Sequence, residues 1–121
     1  MKDPLWIATP SSLDSMAQSL NRTSIFAVDT ESNSLFAYRE QVCLIQISTS
    51  DNDYLIDPLE LKDLSPLGRL FANPDIEKVF HAGEYDLICL KRDFGFEFRN
   101  LFDTMIAGRI LGSKVIGLSA M

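Results

Sequence analysis

The sequence lacks most of the features that would place it outside the ordinary globular class. Two cysteines in 121 residues, Cys43 and Cys89, are too few for a disulfide framework or a zinc site, and both lie in apolar surroundings, so reduced core thiols are expected. No apolar run approaches the roughly 20 residues that a membrane span requires. The candidates, Ile25-Phe26-Ala27-Val28 and Val42-Cys43-Leu44-Ile45, are short and interrupted. The start, Met1-Lys2-Asp3-Pro4-Leu5-Trp6, has neither the basic stretch nor the apolar core of a secretory signal, which makes a cytoplasmic location the expectation. Positive charge is also scarce. Eleven Lys and Arg against 17 Asp and Glu give a net charge of −6, which opposes long-range attraction to phosphate. A nucleic-acid partner therefore needs a local answer. Lys78, Lys91, Arg92, Arg99 and Arg109 concentrate in the second half, and a cluster of acids loaded with divalent cations turns locally positive.

What is present is a single domain's worth of periodic segments, with no repeat, linker or low-complexity stretch between them. Leu5-Trp6-Ile7-Ala8 reads as a short strand. Thr9 as N-cap and Pro10 at the first helical position open a helix carrying Leu13, Met16, Ala17 and Leu20, which Asn21 ends. Ile25 to Val28 is a strand running into the polar stretch Asp29-Thr30-Glu31-Ser32-Asn33-Ser34. Gln41 to Ser48 and Tyr54-Leu55-Ile56 form a hairpin around Thr49-Ser50-Asp51-Asn52, with the turn attributed to Asp and Asn. Ser65-Pro66 opens a helix with Leu67, Leu70 and Phe71, and Asn73-Pro74 stops it. Lys78-Val79-Phe80 is a strand, Glu84 to Asp93 a helix ended by Gly95, and Leu101-Phe102 a brief strand. Asp103 caps a last helix through Met105, Ile106, Ala107, Ile110 and Leu111, which Gly112 closes.

The order β-β-β-α-β-α-β-α calls for an α/β fold of the ribonuclease H-like plan: a mixed sheet with an antiparallel three-strand meander, followed by β-α units with right-handed crossovers. The closing C-terminal helices of that plan are expected to be missing, because Gly117-Leu118-Ser119-Ala120-Met121 reads as the first turn of an apolar helix that stops. Residues 1–121 are accordingly read as the N-terminal part of one domain.

Two groups of acids could carry chemistry. Asp29 and Glu31 stand two apart at the end of an apolar strand, and side chains at i and i+2 of an extended chain share a face. Their repulsion is costly in a partly desolvated place unless a hard divalent cation offsets it. The alternative is an exposed polar turn. Asp86 falls in the first turn of the helix after Val79-Phe80-His81, where its charge suits the helix dipole, and in open sheets functional groups gather at strand ends. His81, the only histidine, is expected to be a hydrogen-bonded strand-end residue. Asp93-Phe94-Gly95 matches a kinase magnesium motif by chance, since neither a glycine-rich loop nor a catalytic-loop signature accompanies it.

Five stretches in order carry a resemblance: Phe26-Ala27-Val28-Asp29-Thr30-Glu31, Val42 to Ile47, Leu55-Ile56-Asp57-Pro58, Lys78 to Leu87, and Leu101-Phe102-Asp103-Thr104. Together they resemble the ribonuclease D family of DEDD-type 3′–5′ exonucleases, over nearly the whole chain. The resemblance implies metal-dependent hydrolysis of phosphodiester bonds at RNA 3′ ends with two Mg2+ or Mn2+ ions. In it Asp29, Glu31 and Asp86 are both the metal ligands and the catalytic residues. Contacts to nucleic acid fall on Thr30, Leu35 and His81, with Leu35 wedging against the terminal base. RNA, with transfer RNA precursors as the family's typical task, or another single-stranded nucleic acid is the implied partner.

The family's third motif, carrying a fourth carboxylate and a tyrosine or histidine, would lie beyond Met121, so the chain alone is expected to be weak or inactive. Two other readings stay open: a non-catalytic remnant that binds nucleic acid or protein, and a DNA exonuclease of the same superfamily, since nothing in these residues reads a 2′-hydroxyl. A sheet face left without its closing helix is expected to favour a homodimer.

Overall fold

Along Ile25–Asn33 every second side chain from Phe26 turns the same way, and Phe26 and Val28 are buried while Ile25, Ala27 and Asp29 stay exposed. This alternation decides the layering of the whole molecule. The computed structural model describes residues 3–33 and 40–105. In chain order its elements are β1 (Leu5–Ile7), α1 (Pro10–Leu20), β2 (Ile25–Asn33), β3 (Gln41–Ser48), β4 (Asp53–Ile56), α2 (Ser65–Ala72), β5 (Glu77–Phe80), α3 (Glu84–Phe94) and β6 (Leu101–Asp103).

The six strands form one mixed sheet in the order β1-β4-β3-β2-β5-β6. β2, β3 and β4 make the antiparallel meander, whereas β5 joins β2, β6 joins β5 and β1 joins β4 in parallel. Parallel neighbours need long crossovers, and α2 and α3 lie in the ones that lead into β5 and β6. The expected α/β ribonuclease H-like plan is therefore the observed one. The last helix falls mostly outside the described residues.

Cross-strand neighbours on the inner face keep the alternation: Val28 opposite Ile47, Ile47 opposite Tyr54, and Ile45 opposite Ile56. All are buried, in one cluster with Leu13, Met16 and Leu20 of α1, Leu67, Leu70 and Phe71 of α2, and Cys89 and Leu90 of α3. A knot of tilted aromatic rings, Phe71 against Phe26, Phe96 and Phe98, ties the segment after α3 to α2. Among the described residues no helix covers the opposite face. There Ile25 is 46% exposed, with Ala27, Asp29 and Gln46 also open.

Several local expectations are modified by contacts that only the fold supplies. α1 begins as expected, its Thr9 hydroxyl accepting from the Ser12 N–H while Ser12 Oγ accepts from the Thr9 N–H. The hairpin turn is closed by Thr49, whose hydroxyl oxygen accepts the N–H groups of Asp51 and Asn52, and not by an Asp or Asn side chain. The Asp93 carboxylate accepts the Val42 N–H at 2.7 Å and pairs with Arg92, so Asp93-Phe94-Gly95 is a strand anchor and a helix end.

Lys78 corrects the charge argument outright. It is wholly buried, and its ammonium donates to the backbone carbonyls of Asn73 and Arg99. Burial lowers its pKa, and no phosphate can reach it. With Arg92 engaged by Asp93 and Arg109 outside the described residues, Lys91 and Arg99 are what remain of the basic set on the described surface.

Candidate active site

The polar stretch after Val28 is strand. β2 continues through Asn33 in pairing with β3, with a bulge between Glu31 and Ser32, so the extended reading of Asp29 and Glu31 holds and the polar turn does not. Both carboxylates leave the strand on the uncovered face and are exposed, while Thr30 between them turns inward.

Thr30 is the link to the second segment. Its hydroxyl donates to Asp86 Oδ1 at 2.6 Å, and its backbone N–H donates to Asp29 Oδ1 at 3.0 Å. One residue thus holds a carboxylate on each side of it. Asp86 sits in the first turn of α3 beside Glu84, where the helix dipole favours an anion. Its carboxyl is nevertheless pushed above the ordinary range. Burial is the largest cause, the Thr30 bond opposes it, and the negative charges of Asp29 and Asp103 add to the rise.

Asp103 was legible only as a helix cap. It does cap, accepting the Met105 N–H at 2.9 Å, but it also accepts the N–H groups of Ala82 at 3.1 Å and Gly83 at 2.8 Å. Those bonds reach back 21 and 20 residues to the turn that starts α3, and no local pattern announces them. His81 is the strand-end residue expected: its Nδ1 lies 2.7 Å from the Thr104 hydroxyl. It also lines, with Asp29, Gln46, Ser48 and Val79, a cavity of about 310 Å3 on the uncovered face. Leu35 lies outside the described residues. Tyr85, beside Asp86, donates its hydroxyl to Glu40, fastening the chain ahead of β3 to α3.

Asp29 and Asp103, from two other segments, are therefore close enough to Asp86 for their charges to act on it, and Glu31 stands two residues from Asp29 along the same strand face. Among the described residues no three acidic, histidine or cysteine side chains close around a point as they stand. The one ion pair between described residues, Arg92 with Asp93, lies at the far end of α3. A carboxylate raised by burial and further by its acidic neighbours, with hard oxygen donors beside it, fits a divalent cation, whose charge would relieve the repulsion.

The chain is similar to known nucleases in sequence and in fold. A family model described as 3′-5′ exonuclease matches residues 4–121. The chain is 44% identical over 110 residues to the exosome complex exonuclease RRP6 of Saccharomyces cerevisiae, a match covering 90% of this chain and 15% of that protein. The catalytic core of RRP6 from Trypanosoma brucei superposes with a TM-score of 0.87 at 33% identity, over 92% of this chain and 31% of that one. Escherichia coli RNase D, an exoribonuclease involved in structured RNA processing, gives 0.89 at 32% identity, over 99% and 32%. The chain thus spans a small part of its curated relative and about a third of each solved chain. The DEDD-type exonucleases generally use divalent metal ions. By the extent of that match, by these identities and by its ribonuclease H-like sheet, the chain belongs to the DEDD-type 3′–5′ exonuclease family that includes RRP6 and RNase D.

Proposed function

We propose that this domain hydrolyses phosphodiester bonds at the 3′ end of RNA, with Asp29, Glu31 and Asp86 as ligands of two divalent ions, Mg2+ or Mn2+. The observation that carries the reading is the Thr30 bridge, which links the Asp86 carboxylate to that of Asp29. When bound, such ions stabilise charge on the attacking and leaving oxygens of a phosphoryl transfer. The chain's own residues hold and aim those ions: Asp29 and Glu31 from the uncovered face, Asp86 from the helix start. Thr30 keeps one Asp86 oxygen occupied and so leaves the other to turn outward. Contacts to a terminal nucleotide are assigned to His81, Thr30 and Leu35. RNA is favoured over DNA because Escherichia coli RNase D, which matches over 99% of this chain, is named as an exoribonuclease. Transfer RNA precursors and a cytoplasmic setting complete the reading.

Titration calorimetry with Mn2+ and digestion of 5′-labelled single-stranded RNA and DNA by the full-length protein test it. Binding of Mn2+ with shortening of RNA from its 3′ end supports the proposal. Binding of RNA without shortening favours a non-catalytic remnant, preferential shortening of DNA favours a DNA exonuclease, and no Mn2+ binding at millimolar concentration overturns the metal reading. A pH dependence follows from the raised Asp86 carboxyl, because a proton held more firmly competes better with a cation. Mn2+ affinity is expected to begin falling at a higher pH than an ordinary carboxylate site would show, and an affinity flat down to the usual carboxylate range would contradict it.

The sheet face that no described helix covers, with Ile25 46% and Phe102 43% exposed among the described residues, also supports a homodimer through that face. Sedimentation is expected to show mass rising with concentration, and a clean monomer at high concentration counts against it.

A further inference from the structure

We propose that Asp103 is the positioning residue of the metal centre, clamping the backbone that carries Asp86 while binding no metal itself. The inference rests on the functional reading above, and it starts from a weakness in the turn between β5 and α3. Ala82 is held at φ 52°, a left-handed conformation that residues other than glycine rarely adopt, and Gly83 at the helix start has no side chain with which to cap. α3 accordingly begins without a side-chain cap of its own.

Asp103 supplies from outside what the turn lacks. β6 runs parallel to β5 with Asp103 opposite Phe80, so its carboxylate ends level with the turn. One oxygen takes the Gly83 N–H, and the other takes the N–H groups of Ala82 and Met105. A second fastening lies next to it, where Thr104 meets His81 Nδ1 and the Phe80 carbonyl. From there the path to the site is one helical turn: Leu87 N–H bonds the Gly83 carbonyl at 2.9 Å, with Asp86 between, and Asp86 meets Thr30. A shift of the turn is a shift of Asp86 against β2.

The chemistry demands a carboxylate. Every partner of Asp103 named above is a donor, so an asparagine would aim its own NH2 at an amide N–H, and a glutamate would carry the acceptor pair a methylene too far. A group already committed to three N–H bonds is a holder of ligands, a role whose loss typically weakens metal binding about 10- to 100-fold.

The test compares Asp103→Asn and Asp103→Glu with Asp86→Asn and with Leu67→Ala, a core change in α2, by Mn2+ calorimetry, Mn2+ electron paramagnetic resonance and amide exchange of Ala82 and Gly83. Positioning predicts that both Asp103 variants weaken Mn2+ about 10-fold or more, alter the bound-ion spectrum and speed exchange at both amides, whereas Leu67→Ala lowers stability and leaves the spectrum alone. Full affinity in Asp103→Glu would reduce Asp103 to a plain charge effect and overturn the proposal, as would wild-type affinity in both variants. If Asp103→Asn does not fold, Asp103→Glu carries the same test. Absence of Mn2+ binding in the wild type sinks the metal reading itself, and unchanged amide exchange in the Asp103 variants then sinks the clamp separately.

Discussion

Asp86→Asn is expected to weaken Mn2+ binding by at least about 100-fold, which is on the order of 3 kcal/mol, while leaving the metal-free protein as stable as before or more so. The two signs come from one cause. Asparagine keeps an oxygen to accept from the Thr30 hydroxyl, so the local structure survives, but it removes the charge that burial and the neighbouring Asp29 and Asp103 make costly. Because the folded Asp86 carboxyl is raised above its unfolded value, the folded state holds the proton longer. Folding therefore gains as pH falls from above the raised value towards the ordinary carboxylate range, and at neutral pH the ionised group is a burden. Such a burden is tolerated where function needs the charge. Thermal melts with and without Mn2+ check both halves. The wild type should gain stability on metal addition and the variant should not, and a variant that melts lower without metal, with Mn2+ still bound, would mark Asp86 as a structural acid.

The parts of this molecule that were readable in sequence are those fixed by spacing along the chain. The strand stretches of β2 and β3, Thr9 before Pro10, Gly95 after α3 and the i, i+2 pair of Asp29 and Glu31 are all local, and the structure keeps each of them. What escaped depends on elements meeting across the fold. Lys78 looks like any strand-end cation until Asn73 and Arg99 bring two carbonyls over it. Thr30 is an ordinary β-branched strand residue until α3 delivers Asp86, 56 positions later, to its hydroxyl. Asp103 offers a cap motif that is real and conceals two further bonds to a preceding turn. Asp29 and Asp86 could be named as acids, but their shared environment is a property of the parallel β2-β5-β6 edge, which a single chain pattern does not encode.

Gly83→Ala is expected to be the most destabilising glycine-to-alanine change among the described glycines. The backbone at Gly83 is unremarkable for any residue, at φ −85°, so the requirement for glycine is one of space. A Cβ at that position would fall against Phe80 Cβ and within 2.8 Å of Phe80 Cγ and Cδ1. Rotating Phe80 gives no relief, because its Cβ is fixed to the strand and its ring is 2% exposed in the packed core. The backbone of β5 or of α3 must move instead, which places the cost at the upper end of overpacking, about 3 kcal/mol or more. For a domain of this size that corresponds to a fall in Tm on the order of 10 °C. The same movement would pull the Gly83 N–H from Asp103 and carry Asp86 from Thr30, so the damage reaches the site as well as the core. The separation of these effects is measurable. Under conditions where Gly83→Ala remains folded, its Mn2+ affinity should still be reduced, while a destabilised variant that binds Mn2+ as the wild type does would show that the close approach of β5 and α3 serves packing alone.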